Sequence, residues 1–266
     1  MRRTRARATP RAFVAAGAVA MASLSLIAPV ALRAQTDHFN LEEGLPTRLE
    51  DAYATAYRNR ELQLAPRYDR QAEGRDLVFV DPALEVGLFR NSQWRLSVPV
   101  RAGSADRTGS GNVRLEGFYN FNTEGQLLPA IAVAARGEFP TGYYPGGQER
   151  STEGTAKLIA TKSVDNRMDR LHVNVEYTAV GNAMPAERNG RFAVAAGVSG
   201  RAGPDMVVIL DAFRQEERLR GEVTNLAELG VRRQLTPRAI VAVGLGTGLD
   251  KDSPRVRGTL AFQRSF

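Results

Sequence analysis

Two histidines, His38 and His172, are the only imidazoles in this 266-residue chain, and it has no cysteine. That excludes disulfides and thiolate metal sites, and two scattered histidines form no metal cluster. A hydrolase built on His172 would commonly place a serine two residues on, but position 174 is asparagine. The Gly-rich stretch Tyr144–Gly147 opens no helical pattern, so it is a loop and not a phosphate cradle. No catalytic residue, metal site or cofactor is therefore expected.

A different pattern carries the chemistry. Arg95, Arg101, Arg114, Glu116, Arg136, Glu138, Lys157, Glu176, Arg191, Glu228 and Arg257 all fall on the polar face of segments that alternate apolar and polar residues. In residues 94–101, Trp94, Leu96, Val98 and Val100 alternate with Arg95, Ser97, Pro99 and Arg101. In residues 171–179, Leu171, Val173, Val175, Tyr177 and Ala179 alternate with His172, Asn174, Glu176 and Thr178. Period two puts successive side chains on opposite faces of a strand. One ionised face then lines a wet interior, either as a passage that selects by charge or as a salt-bridge lattice filling a narrow barrel. His172, on that face, is read as a lumen hydrogen-bonding residue.

Strand length separates a barrel from a soluble sandwich. Soluble strands are usually about 5–6 residues long, whereas tilted spanning strands need about 9–11. Twelve segments of the longer kind are expected, at 61–70, 76–89, 94–103, 112–122, 128–139, 154–163, 171–180, 190–199, 206–214, 222–232, 238–246 and 255–266. The expected fold is all-β, a closed antiparallel transmembrane barrel of about twelve strands. One set of turns (Arg90–Gln93, Thr123–Leu127, Val164–Arg170, Gly200–Asp205 and Arg233–Pro237) is short and would face the periplasm. The other set is mostly longer, up to 14 residues at Pro140–Glu153. Phe89, Trp94, Tyr119, Phe121 and Phe266 would ring one interface and Phe139 the other.

Charge is segregated. Lys and Arg total 36 against 29 acids, but residues 1–34 hold six arginines and no acid. The remaining 30 bases and 29 acids leave +1, so nucleic acid is not an expected partner. Residues 1–34 have the charged start, apolar stretch and small-residue end of a secretory signal, with cleavage expected after Ala34. The apolar stretch is also about long enough for an anchor helix, but its Ala and Gly content favours cleavage. Residues 35–60 are expected to be a periplasmic lead-in, either starting a short amphipathic helix capped by Thr47 or running extended. Residues 61–266 are expected to form the barrel.

Two resemblances follow. Thr259–Phe266 ends in an aromatic with alternate apolar positions before it, and it resembles the C-terminal signal of outer-membrane barrels. That implies reading by the barrel-insertion machinery through Phe262 and Phe266, with outer-membrane lipid around the chain. Leu128-Pro129-Ala130-Ile131-Ala132, Gly137-Glu138-Phe139-Pro140-Thr141-Gly142 and Lys157-Leu158-Ile159-Ala160-Thr161-Lys162 resemble the central motif of the MetA-pathway phenol-degradation family. These are outer-membrane barrels to which transport of aromatic compounds is ascribed. The match spans residues 128–162. The resemblance implies a channel for small hydrophobic or aromatic molecules, and Tyr143 and Tyr144 in the long loop are candidate solute contacts. The alternative is a structural or adhesion barrel acting through its outer loops.

Overall fold

A computed structural model describes residues 39–104, 108–144, 147–148, 151–164 and 169–266. The expected secretory signal and His38 lie outside the described residues. Among the described residues, eighteen β-segments form one continuous sheet. Sixteen of them make twelve spans, four of these interrupted once. These are β1 (Arg60–Leu64 and Pro66–Arg70), β2 (Asp76–Val80 and Ala83–Val86), β3 (Ser92–Ser97 and Val100–Gly103), β4 (Gly109–Ser110 and Val113–Asn120), β5 (Ala130–Phe139), β6 (Glu153–Ser163), β7 (Arg170–Val180), β8 (Gly190–Arg201), β9 (Met206–Glu216), β10 (Val223–Thr236), β11 (Ala239–Gly248) and β12 (Val256–Ser265). A short ribbon, Tyr143–Tyr144 with Gly147–Gln148, sits in the loop between β5 and β6. No described residue is helical.

Each span pairs antiparallel with the next. The sheet closes because β12 pairs with both halves of β1, Glu61 opposite Ser265 and Arg70 opposite Val256. Closure removes both sheet edges. The interruptions in β1–β3 adjoin Pro66, Pro82 and Pro99, where a missing N–H cannot serve the ladder. Strand bounds differ from the sequence expectation by up to four residues, and the largest difference is at the end of β10. β10 runs to Thr236, so the expected turn Arg233–Pro237 shrinks to Pro237–Arg238, with a register shift between Gln234 and Thr236.

The outward face is apolar. Leu158, Leu171, Val194, Leu210, Leu229, Val243 and Leu260 are large aliphatic side chains left exposed by the fold. So are Phe89, Trp94, Tyr119, Phe121, Phe139 and Phe266. An apolar surface wrapped round a whole sheet has no aqueous partner and calls for hydrocarbon. Val243 lies mid-strand, between Val231 and Leu260. Val243→Arg should cost about 2–4 kcal/mol in a bilayer, as arginine does on the lipid face near the midplane. Denaturant unfolding from lipid vesicles, read through Trp94, the single tryptophan, checks this. An unchanged midpoint would place Val243 off the hydrocarbon.

Candidate functional site: the barrel lumen

Residues 39–59 lie inside the barrel, not outside it. The expected lead-in is replaced by a hairpin threaded into the lumen, and the Thr47-capped helix is absent. The chain enters at the short-turn end, where Arg201 stacks over the Phe39 ring at 4.4 Å and Arg170 donates to the Phe39 carbonyl at 3.1 Å. It reverses at Gly44–Arg48. There the Gly44 amide donates to the Thr47 carbonyl at 2.7 Å and the Leu45 amide to the Glu42 carbonyl at 3.0 Å. Gly44 has φ +81°, which favours glycine. On the return, the Asp51 amide donates to the Leu41 carbonyl at 3.0 Å, and the hairpin runs into β1 at Arg60.

A buried backbone must find partners. This one finds them on inward side chains of the wall. Glu50 and Asn174 exchange two bonds, amide to Oδ1 and Nδ2 to carbonyl, each 2.8 Å. The Ala52 amide donates to Thr161 at 3.0 Å, and its carbonyl accepts from Asn120 at 2.6 Å. The Thr55 amide donates to Gln93 at 2.6 Å, and Arg232 donates to the Leu45 carbonyl at 3.0 Å. Apolar contacts fill the gaps. Leu41 and Leu49 pack with Val207, Ile209, Phe213 and Leu226, and Ala52 packs with Phe118, Ala132 and Ile159. Two inward glycines make room for the turn. A Cβ at Gly230 would lie 2.7 Å from Thr47 Cγ2, and one at Gly244 would lie 2.8 Å from the Pro46 carbonyl oxygen.

Charge converges on Glu43, in the hairpin. Its carboxylate meets Lys157 at 2.5 Å, Arg136 at 3.2 Å and Arg48. Lys157 also reaches Glu50 at 2.6 Å and comes within 4.0 Å of Glu116 and of Glu176. Arg48 donates to Glu176 at 3.2 Å, and its amide donates to Glu228 at 3.1 Å. Further out, Arg114 pairs with Glu138 at 3.1 Å, Arg257 with Asp69 at 2.7 Å, and Arg191 with Glu153. Arg95 faces Asp81 at 3.7 Å, and Arg101 sits 6.0 Å from the centre of the Phe79 ring.

All eleven charged residues singled out in the sequence thus have inward-facing partners or line the lumen. Ten border a cavity of about 600 Å³ at the long-loop end. The eleventh, Lys157, lies beneath it. Tyr143 is exposed on the loop ribbon, paired with Ser110, and does not line that cavity. Tyr144 lies in the same two-residue segment. Phe262 and Phe266 are on the outward face.

His172 is 1 % exposed, with Ser199 Oγ at 2.9 Å from Nε2 and Thr161 Oγ1 at 3.2 Å from Nδ1. Serine is therefore beside the ring, supplied by the neighbouring strand and not by position 174. Both hydroxyls are buried, and Thr161 already accepts the Ala52 amide of the hairpin. At the exit of the hairpin, the Tyr53 hydroxyl donates to Glu124 at 3.4 Å. Partial burial pushes the Glu124 carboxyl up. Hydrogen bonds from Lys162 and Ser163 outweigh that and hold it below the ordinary carboxylate range.

The strand alternation does not reveal the hairpin side of the site, with Glu43, Arg48, Glu50 and Asp51. One signal was present: Val207, Ile209 and Phe213 put apolar side chains on the inward face of β9, which a wet lumen would not hold.

No family model matches the chain, and no curated protein matches it. An outer membrane channel from Pseudomonas putida F1 is similar in fold, with a TM-score of 0.65 at 12% identity over 85% of this chain and 100% of that one. The NanC porin is similar with a TM-score of 0.51 at 9% identity, over 78% of this chain and 98% of that one. The fold is thus that of outer-membrane β-barrels.

Lys157 is the cation that the buried carboxylates share. Lys157→Met should destabilise the protein by about 3–5 kcal/mol, the usual cost of stripping one partner from a buried pair. Chemical unfolding in detergent measures it, and a loss under about 1 kcal/mol would mean that water screens the cluster.

Proposed function

We propose that this chain is an outer-membrane channel for small solutes, closed in the described conformation by its own N-terminal hairpin. The observation that carries this reading is the arrangement along the lumen. A charged cavity opens at the long-loop end, and its floor is the turn of a hairpin entering from the opposite end. A salt-bridged hairpin on a continuous chain is a removable barrier, whereas a lumen packed by wall side chains would not be.

The cavity suits a solute that carries charge. Phe79, faced by Arg67 at 4.7 Å and by Arg101 and Arg114 at 6.0 Å, offers an aromatic surface ringed by cations. An aromatic acid would meet both features, so the aromatic solutes implied by the phenol-degradation resemblance fit better as anions than as bare hydrocarbons. We further propose that the chain reaches the outer membrane by the general secretory route, that the terminal Phe266 serves barrel insertion, and that His172 acts as a structural link and not as a catalyst.

The filled lumen favours a second reading, a barrel that transports nothing and acts through its outer loops. One experiment separates the two. In planar bilayers the intact protein should be closed or open only briefly, and deletion of residues 39–57 should give a steady, several-fold larger conductance. If neither form conducts or passes solute, the channel reading fails and the structural barrel stands.

A further inference from the structure

We propose that Glu42, Glu61 and Glu85 hold one divalent cation, of the calcium class, which ties the hairpin to β1 and β2. This goes beyond the channel reading and does not depend on transport.

The three carboxylates come from separate elements, the hairpin, β1 and β2. One oxygen from each lies within 4.8 Å of the others. The residues are 7 %, 2 % and 1 % exposed. Buried charge has to be compensated. Around Glu43 it is, by three cations. Here, among the described residues, no arginine or lysine forms an ion pair with any of the three. Their side-chain partners are neutral. Gln263 donates to Glu42 at 2.7 Å and also to Glu61, Asn59 donates to Glu61 at 2.5 Å, and Gln93 donates to Glu85 at 3.4 Å. The nearby cations are engaged elsewhere. Arg232 donates to the Leu45 carbonyl and to Gln263 Oε1, and Arg95 faces Asp81 and the Glu43 carbonyl.

A second observation is independent of the acids. Gln63 is 1 % exposed, and its amide lies against both Glu42 and Glu85, with Nε2 3.3 Å from the latter. Its carbonyl oxygen, Oε1, accepts no hydrogen bond. A buried acceptor without a protein donor, on an amide whose nitrogen faces the carboxylates, calls for a donor or a cation. Turning that amide over brings its oxygen to the carboxylates as a fourth ligand.

Carboxylates plus an amide carbonyl form a hard, all-oxygen set. Calcium takes six to eight such ligands at about 2.3–2.6 Å in irregular geometry, whereas magnesium demands a near-ideal octahedron and keeps its waters. Structural zinc sites are built chiefly on cysteine sulfur and histidine nitrogen. Glu42, Glu61 and Glu85 are far apart in sequence and two of them sit on different strands, so no spacing motif announced a metal site.

The test uses the full-length protein folded in detergent, with calcium chloride as the probe. Equilibrium dialysis should show about one calcium ion per chain. Calcium should raise the melting temperature by several degrees and EGTA should reverse this, as for any ligand that binds only the folded state. Magnesium should do less. Glu61→Gln together with Glu85→Gln should abolish both responses while the barrel keeps its heat-modifiable gel mobility. If that variant does not fold, Glu42→Gln, which leaves the wall intact, takes its place. Absence of stoichiometric binding overturns the proposal, as does binding that the variants leave unchanged. A melting temperature that responds to acidification but not to calcium also overturns it, since shared protons then neutralise the cluster. Calcium binding is read directly, so a barrel that never conducts would leave this result untouched.

Discussion

A carboxylate removed from water must be met by a cation, and Glu43 meets three. That requirement links the hairpin to the wall, because Arg48 is its neighbour in the hairpin while Arg136 and Lys157 project from β5 and β6. Lys157 in turn is 4 % exposed and is surrounded by Glu50, Glu116 and Glu176 as well. If the hairpin were absent, Arg136 and Lys157 would still face Glu116 and Glu176, with two wall cations to two wall anions. Adding Glu43, Glu50 and Arg48 brings one more anion than cation into the group. The hairpin is therefore accepted because the wall alone is neutral there and the whole cluster carries only about one net charge.

Much of the barrel was legible because its alternation is enforced twice. Outward positions such as Leu158, Leu171 and Val243 must be apolar for hydrocarbon, and inward positions such as Glu116, Arg136 and Glu176 must be polar for the lumen. A shift of one residue would swap every one of them. The inward placement of the charged residues followed from that period. What occupies the lumen did not. Residues 39–59 have no period of either kind, since each side chain answers to whichever wall it happens to face. Leu41 and Leu49 meet β8–β10, Ala52 meets β4–β6, and Leu45 meets Ala65, Ala242 and Ala261. The trace they leave elsewhere is on the wall. Apolar Val207, Ile209 and Phe213 lie on an inward face, and Gly230 and Gly244 lie where a side chain would strike Pro46 or Thr47. β9 looks irregular as a strand for that reason, and it is regular once its inner face has something to pack against. His172 fails as a sequence motif for a related reason. Its serine comes from across a strand pair, and strand register is not visible as spacing.

The composition of the hairpin's contacts also bears on whether it can leave. The bonds that hold its backbone, from Asn120, Asn174, Thr161 and Gln93, are to side chains that water can serve equally well once the lumen floods. A hydrogen bond exchanged for one to water changes the free energy by only about 0.5–1.5 kcal/mol. The ion pairs behave alike, since solvation on opening offsets much of the attraction lost. The apolar contacts resist release: Leu41 and Leu49 against Val207, Ile209, Phe213 and Leu226, Leu45 against three alanines, and Ala52 against Phe118, Ala132 and Ile159. A static core would carry far fewer polar groups beside such contacts. Here the wall remains closed by its own ladder whether or not the hairpin is in place, because β1 pairs with β12 and β2 through residues that begin only at Arg60. Barrel closure is thus carried by residues other than those that fill the lumen.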